Sequence, residues 1–143
     1  MKIGYVDIVG DLFHYNHILF LKKCKEFCDY LIVGVCSDTF CEKYKRKPIL
    51  TEKERLYSIQ LCNIVDYSFI VEDDEIYITK QFMDKYKIDR VFHAHSIDEN
   101  EIYNIYYKYP ISVNKFKRLD YNTGISTTTI INRIKKAVND RNY

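Results

Sequence analysis

The sequence predicts an α/β domain: a five-stranded parallel sheet with helices on both faces. Two observations carry that expectation. Strand-like segments alternate with helix-like segments of about 10 to 15 residues, which requires right-handed crossovers between parallel strands. Residues 30–36 (YLIVGVC) are almost entirely apolar, the pattern of a central strand buried on both faces. The chain of 143 residues suits one domain over 1–143, because it is long enough for a core and short for two independent ones. It shows neither an internal repeat nor a linker.

In chain order, residues 2–9 form a β-rich run that ends at Gly10-Asp11. Ile18, Leu21, Cys24 and Cys28, with Phe20 and Phe27, then recur at helical spacing. After the central strand, residues 37–47 are polar and end in a basic run, KYKRK, expected as a mobile loop. Pro48 leads into Thr51-Glu52-Lys53-Glu54, a capping box that opens a helix to about Cys62. Residues 65–71 read as the third strand, and Ile78, Phe82 and Tyr86 as one face of the next helix. Residues 88–93 read as a fourth strand ending in HAHS. Residues 97–109 are ambiguous, with Pro110 terminating them. A fifth strand is expected at 111–116, and Ser126 opens a last helix with Ile130, Ile134, Ala137 and Val138 on its apolar face. Ligands of such sheets bind beyond the carboxyl ends of the strands, which selects residues 8–17, 37–47, 93–98 and 118–128.

With 22 Lys and Arg against 20 Asp and Glu, the formal charge is +2. That balance argues against nucleic acid or lipid headgroups as bulk partners and leaves room for a small anion at a local site. The five cysteines form no CxxC pair, as expected of buried thiols in a reducing compartment. No apolar run approaches the roughly 18 residues of a membrane span, and the N-terminus reads as a strand instead of a basic leader. A cytoplasmic protein without stable membrane insertion is expected.

The four histidines lie at strand ends, as His14-x-x-His17 and His93-x-His95. Two histidines three apart in the first turn of a helix face one side, beside unpaired backbone N–H groups that attract phosphate. The same residues could instead cap the helix or pack on the sheet. Zinc is disfavoured, because no tight ligand pair is joined to another at the usual spacing. The fork of Arg55 could bind phosphate or hold a carboxylate. Ser126, Thr127 and Thr128, after Gly124, offer an N-cap and free backbone donors.

Asp11-Leu12-Phe13-His14-Tyr15-Asn16-His17 and Gly124-Ile125-Ser126-Thr127-Thr128 resemble the DLxHxGH and GISTT motifs of the cytidylyltransferase family, which includes the glycerol-3-phosphate, choline-phosphate and ethanolamine-phosphate enzymes. The spacing of Tyr44-Lys45-Arg46-Lys47, Glu54-Arg55 and Ile64-Val65-Asp66 also matches. The resemblance implies a Rossmann-like nucleotidylyltransferase fold, a homodimer, and transfer of CMP from CTP with Mg²⁺ to a phosphorylated alcohol. His14 and His17 would contact the triphosphate, Lys43 and Lys45 would match the paired lysines, and Arg55 would bind phosphate. Val9, Gly10, Asp11, Asn16, His95, Ser126, Thr127 and Thr128 would bind the nucleotide. No direct metal ligand is expected, and Asp11 would be the nearest carboxylate to Mg²⁺.

Several positions depart from the family pattern. Ile8 and Asn16 stand for glycines, Gly10 for a phenylalanine, His93-Ala94-His95-Ser96 for an HGDD or GDDW segment, and Tyr121 for the arginine of RTxGISTT. Two alternatives follow: a nucleotide-binding protein with reduced catalysis, or an adenylyltransferase that uses ATP. For the acceptor, Asp98, Glu99, Glu101, Tyr103, Tyr106, Tyr107 and Tyr109 suit an ammonium group, so phosphoethanolamine or phosphocholine is favoured over glycerol 3-phosphate. The same tyrosines could equally be packing residues.

Overall fold

A computed structural model describes residues 1–95 and 105–141. Its elements are β1 (Ile3–Ile8), α1 (Tyr15–Lys25), β2 (Tyr30–Cys36), α2 (Asp38–Tyr44), α3 (Glu52–Gln60), β3 (Tyr67–Val71), a 3-10 turn at Asp73–Ile76, α4 (Lys80–Tyr86), β4 (Arg90–His95), α5 (Lys108–Ser112), β5 (Phe116–Asp120) and α6 (Thr127–Asn139). The five strands pair in parallel in the order β3-β2-β1-β4-β5. The chain therefore moves outward from β1 to β3 and then crosses to the other side of β1. That reversal opens a crevice over the carboxyl ends of β1 and β4, where a Rossmann-like sheet takes its ligand.

Strand alternation divides the core between two faces. Val6, Ile8, Leu31, Val33 and Val35 pack with Phe20, Leu21 and Cys24 of α1 and Ile59 of α3. Tyr5 and Ile32 face the opposite way, onto Phe82 and Met83 of α4 and onto Tyr107. Helices thus cover both faces, as the apolar β2 requires. Gly34 in β2 makes room for this packing, since a Cβ there would lie 2.2 Å from the Tyr5 hydroxyl and 2.6 Å from a Val71 methyl. Cys24, Cys36 and Cys41 are buried, Cys28 and Cys62 are half-buried, and all five are free thiols. No helix among the described residues is long and apolar enough to cross a membrane.

Three expectations are corrected. The segment after β2 is helical, because Ser37 caps α2 by accepting from the Phe40 N–H at 3.1 Å and Cys41 anchors the helix in the core. Pro110 does not end a segment but sits buried in the first turn of α5, where its missing N–H leaves no bond unmade. Residues 111–116 are therefore not the fifth strand. The β-branched Ile111 and Val113 suggested one, whereas β5 is the more polar FKRLD at the sheet edge, with Phe92 opposite Lys117 and His93 opposite Arg118. The last helix forms as expected, but none of its residues is buried, and Ile134 and Val138 lie exposed.

Candidate functional site: two helix N-termini over the sheet edge

The loop leaving β1 turns tightly, with Gly10 at φ +67° and Leu12 at φ +52°. The first conformation suits glycine, while Leu12 holds one that side chains seldom adopt. Asp11 is buried, and its two carboxylate oxygens accept the backbone N–H groups of Ile49 and Leu50, each at 2.9 Å. Its carbonyl accepts from the Thr127 hydroxyl at 2.9 Å. Asp11 thus joins three segments, acting through its backbone and side chain together.

Beneath the loop, Arg55 of α3 is completely buried. Its guanidinium donates to the carbonyls of Val9 at 2.7 Å, Cys36 at 2.8 Å and Leu50 at 3.2 Å, and to the Asp38 carboxylate at 2.7 Å. Of the two roles open to it from the sequence, the structure shows the carboxylate partner. Lys43 and Lys45 are carried at the exposed C-terminal end of α2, where the Lys43 ammonium lies 5.3 Å from the centre of the Tyr44 ring. His95 ends β4, and its side chain lies outside the described residues.

At the start of α1 the histidines cap the helix reciprocally. His14 Nδ1 accepts from the Asn16 N–H at 3.2 Å, and His17 Nδ1 accepts from the His14 N–H at 3.1 Å. A ring nitrogen that accepts carries no proton, so this hydrogen-bond pattern assigns each neutral imidazole its hydrogen on Nε2. The His14 Nε2 is buried without a partner among the described residues. The rings stack with centroids 3.8 Å apart, which opposes charge on both. Burial pushes the His17 pKa down from the ordinary 6.5 to about 4, with the neighbouring His14 adding to the effect and Asp11 opposing it; burial also lowers that of His14. The pair is therefore neutral at pH 7, with an N–H on Nε2 of each ring.

Asn16, between the histidines, bonds across to the loop after β5. Its amide donates to the carbonyls of Ile125 at 2.6 Å and of Asn122 and Thr123, each at 3.4 Å. Gly124 within that loop has φ +112°, and Ser126 caps α6 by accepting from the Thr129 N–H at 3.1 Å. The structure thus brings His14, His17, Asp11, Asn16, Ser126 and Thr127 together, with the exposed Thr128 in the first turn of α6. Two helix N-termini lie side by side, each offering unpaired N–H groups.

The sequence reading did not single out Asp7. Its buried carboxylate accepts from the Tyr107 hydroxyl at 2.5 Å, and that hydroxyl lies 2.8 Å from His93 Nδ1. Burial, and then the adjacent Asp7 charge, raise the Tyr107 pKa well above its ordinary value, so it remains a phenol. The available signal was one acid inside an otherwise apolar strand, IGYVDI. Tyr107 is a core residue, and Tyr106 and Tyr109 pack against the cluster it belongs to. Asp98, Glu99, Glu101 and Tyr103 lie outside the described residues.

Two expected outcomes follow from these contacts. Arg55→Lys removes the planar fork, and a single ammonium cannot reach all four acceptors, so unfolding free energy should fall by about 3–5 kcal/mol. Urea denaturation checks this, and an unchanged midpoint contradicts the bracing role. For His17, the unfolded chain binds more protons than the folded chain between pH 6.5 and about 4. The stabilisation is then complete above pH 6.5 and is lost as pH falls through that window, amounting to about 3 kcal/mol. His17→Gln should flatten the slope of stability against pH between 6.5 and 4, and equal slopes in both proteins would contradict the assignment.

The chain matches the cytidylyltransferase-like family model over residues 11–133. It is 37% identical over 139 residues to choline-phosphate cytidylyltransferase 2 of Arabidopsis thaliana, covering 94% of this chain and 45% of that protein. Choline-phosphate cytidylyltransferase of Saccharomyces cerevisiae is 36% identical over 137 residues, with 91% of this chain and 31% of that protein covered. Ethanolamine-phosphate cytidylyltransferase of Arabidopsis thaliana is 33% identical over 138 residues, covering 93% and 32%. The chain spans less than half the length of these relatives. Among solved structures, the lipopolysaccharide core biosynthesis protein of Thermoplasma volcanium shares the fold at a TM-score of 0.67 and 23% identity, over 87% of this chain and 99% of that one. The fold, the motif at the head of α1 and the family match agree: the chain belongs to the cytidylyltransferase-like family and is related to the choline- and ethanolamine-phosphate cytidylyltransferases.

Proposed function

We propose that this chain transfers CMP from CTP to a phosphorylated amino alcohol, forming a CDP-alcohol and pyrophosphate. The observation that carries the reading is the pair of histidines, each accepting a backbone N–H at Nδ1, at a helix N-terminus clasped to a second helix N-terminus. Such a cradle matches a triphosphate. In the reaction an oxygen of the acceptor phosphate forms a bond to the α-phosphorus of CTP. The bond from that phosphorus to the bridging oxygen breaks, and its electron pair leaves with pyrophosphate. The acceptor phosphate is already anionic, so no general base is required, and catalysis rests on alignment and charge stabilisation. His14 and His17 donate from Nε2 to phosphate oxygens, each charged hydrogen bond being worth about 1.5–3 kcal/mol. Ser126, Thr127 and Thr128 lie where the β- and γ-phosphates meet α6. Lys43 and Lys45 add positive charge beyond β2.

Mg²⁺ neutralises the triphosphate when bound, held mostly by phosphate oxygens and water. Asp11 suits an indirect place in this arrangement, because both its oxygens already serve backbone donors. For the acceptor, Asp7 places a carboxylate near the end of β1, held by the Tyr107 hydroxyl, and a carboxylate there favours an ammonium-bearing alcohol over glycerol 3-phosphate. A homodimer is also part of this reading: β3 is a sheet edge, and Tyr57, Leu61 and Tyr67 are exposed on α3, at its end and on that strand.

A second reading, nucleotide binding without fast transfer, is favoured by Tyr121. It stands where the family motif has arginine and packs against Phe20 with ring centroids 4.9 Å apart.

Pyrophosphate release from CTP and Mg²⁺ should depend on phosphocholine or phosphoethanolamine and fall by at least about a hundredfold in His17→Ala. Asp7→Asn should raise KM for these acceptors while leaving that for CTP in place. Saturable CTP binding with no product would select the binding reading, tighter binding of ATP would overturn the choice of base, and a higher kcat/KM for glycerol 3-phosphate would overturn the choice of acceptor. Light scattering should return twice the 17.2 kDa chain mass, and a monomer at high concentration would contradict the dimer.

A further inference from the structure

We propose that Asn16 is a positioning residue that preassembles the triphosphate cradle, an inference that rests on the nucleotide-binding reading above. The family motif carries glycine at this place, where this chain has a side chain that is 2% exposed. The amide points its N–H₂ at three carbonyls of one short loop, those of Asn122, Thr123 and Ile125. Flipping the amide would set its oxygen against those carbonyl oxygens, so the orientation is determined by the loop. The other half of the amide, Oδ1, is buried and has no partner among the described residues. A buried acceptor left open marks a place that a ligand or water completes.

The position of the contact gives it consequence. Asn16 belongs to the first turn of α1, and its backbone N–H is the donor that fixes His14 Nδ1. Ile125 directly precedes Ser126, the cap of α6. One residue therefore orients a histidine through its backbone and holds the head of the opposing helix through its side chain. The Thr127 hydroxyl on the Asp11 carbonyl is a second clasp, and the residues just before the loop also meet α1, Tyr121 against Phe20 and the Asp120 carbonyl on the Lys23 ammonium at 2.8 Å. α6 buries none of its residues completely, and only Thr127, Thr129, Ile130, Ile131 and Ala137 are half-buried, so contacts at its head add to a light packing along its length. The loop from Asn122 to Ile125 depends on Asn16 in a way that a glycine at this place would leave to the bound triphosphate. Ordering the loop in advance removes that cost from binding.

The test uses hydrogen exchange of the ligand-free chain and of Asn16→Ala and Asn16→Asp, followed by titration with CTP and Mg²⁺ and with tripolyphosphate. Both variants lack the donor amide, and the second keeps its shape. Exchange at amides 123–127 should rise about tenfold, while amides of β1 and β2 and the melting temperature change little. Affinity for both anions should fall about tenfold in Asn16→Ala and further in Asn16→Asp, whose charge opposes phosphate. In turnover the loss should fall on KM for CTP, with kcat kept. Unchanged exchange at 123–127 would overturn the proposal, as would a uniform rise that tracks a lower melting temperature, or equal affinities in variant and native chains. If the native chain binds neither anion, the functional reading fails, and the exchange at 123–127 alone decides whether Asn16 holds the loop.

Discussion

A guanidinium cannot be taken completely out of water unless its donors are met, and Arg55 meets four acceptors at once. Two of these are the carbonyls of Val9 and Cys36, the residues at the ends of β1 and β2. A third belongs to Leu50, whose N–H is in turn held by Asp11. The fourth, Asp38, opens α2 and exchanges hydrogen bonds with Glu52 at the head of α3, the backbone N–H of each donating to the carboxylate of the other. The exit of β1, the helix after β2 and the head of α3 are therefore one unit. The desolvation cost of a buried charge makes that unit close to all-or-none, because removing one partner strands the others.

On this base, in the proposed reading, the histidines solve an electrostatic problem. A triphosphate is attracted by positive charge, but a buried histidinium beside another 3.8 Å away is costly. Neutral rings with Nε2–H donors, set at a helix N-terminus, supply directed hydrogen bonds without that cost. The reciprocal capping contacts determine the tautomer and orient the rings before any ligand arrives. The same contacts couple the site to pH, since protonating either Nδ1 breaks a cap.

The departures from the family motif have structural roles of their own. Gly10 adopts φ +67°, and a Cβ there would lie 2.9 Å from an Ile59 methyl, so the tight turn needs glycine. Ile8 is buried in the cluster that α1 and α3 cover. Asn16 joins the two helix heads, and Tyr121 packs on Phe20 of α1.

The sequence by itself determined the parallel α/β class, because an apolar β2 and alternating elements admit few other packings, and it pointed to the heads of α1 and α6, because both are local motifs. It also placed Ser126 and Thr51 as caps, which depend on residues only three positions apart. Tertiary structure decided what involves distant partners. Arg55 found a carboxylate and three carbonyls from segments up to 46 residues away, Asn16 found a loop 106 to 109 residues away, and Tyr107 found Asp7 across 100. Residues 108–120 were misread for the same reason: Ile111 and Val113 carry β propensity, but burial of Pro110 in a helical turn and pairing of β5 with β4 settle the assignment. Local propensity amounts to tenths of a kcal/mol per residue, roughly, and the burial and pairing that override it are set only when the chain has closed on itself.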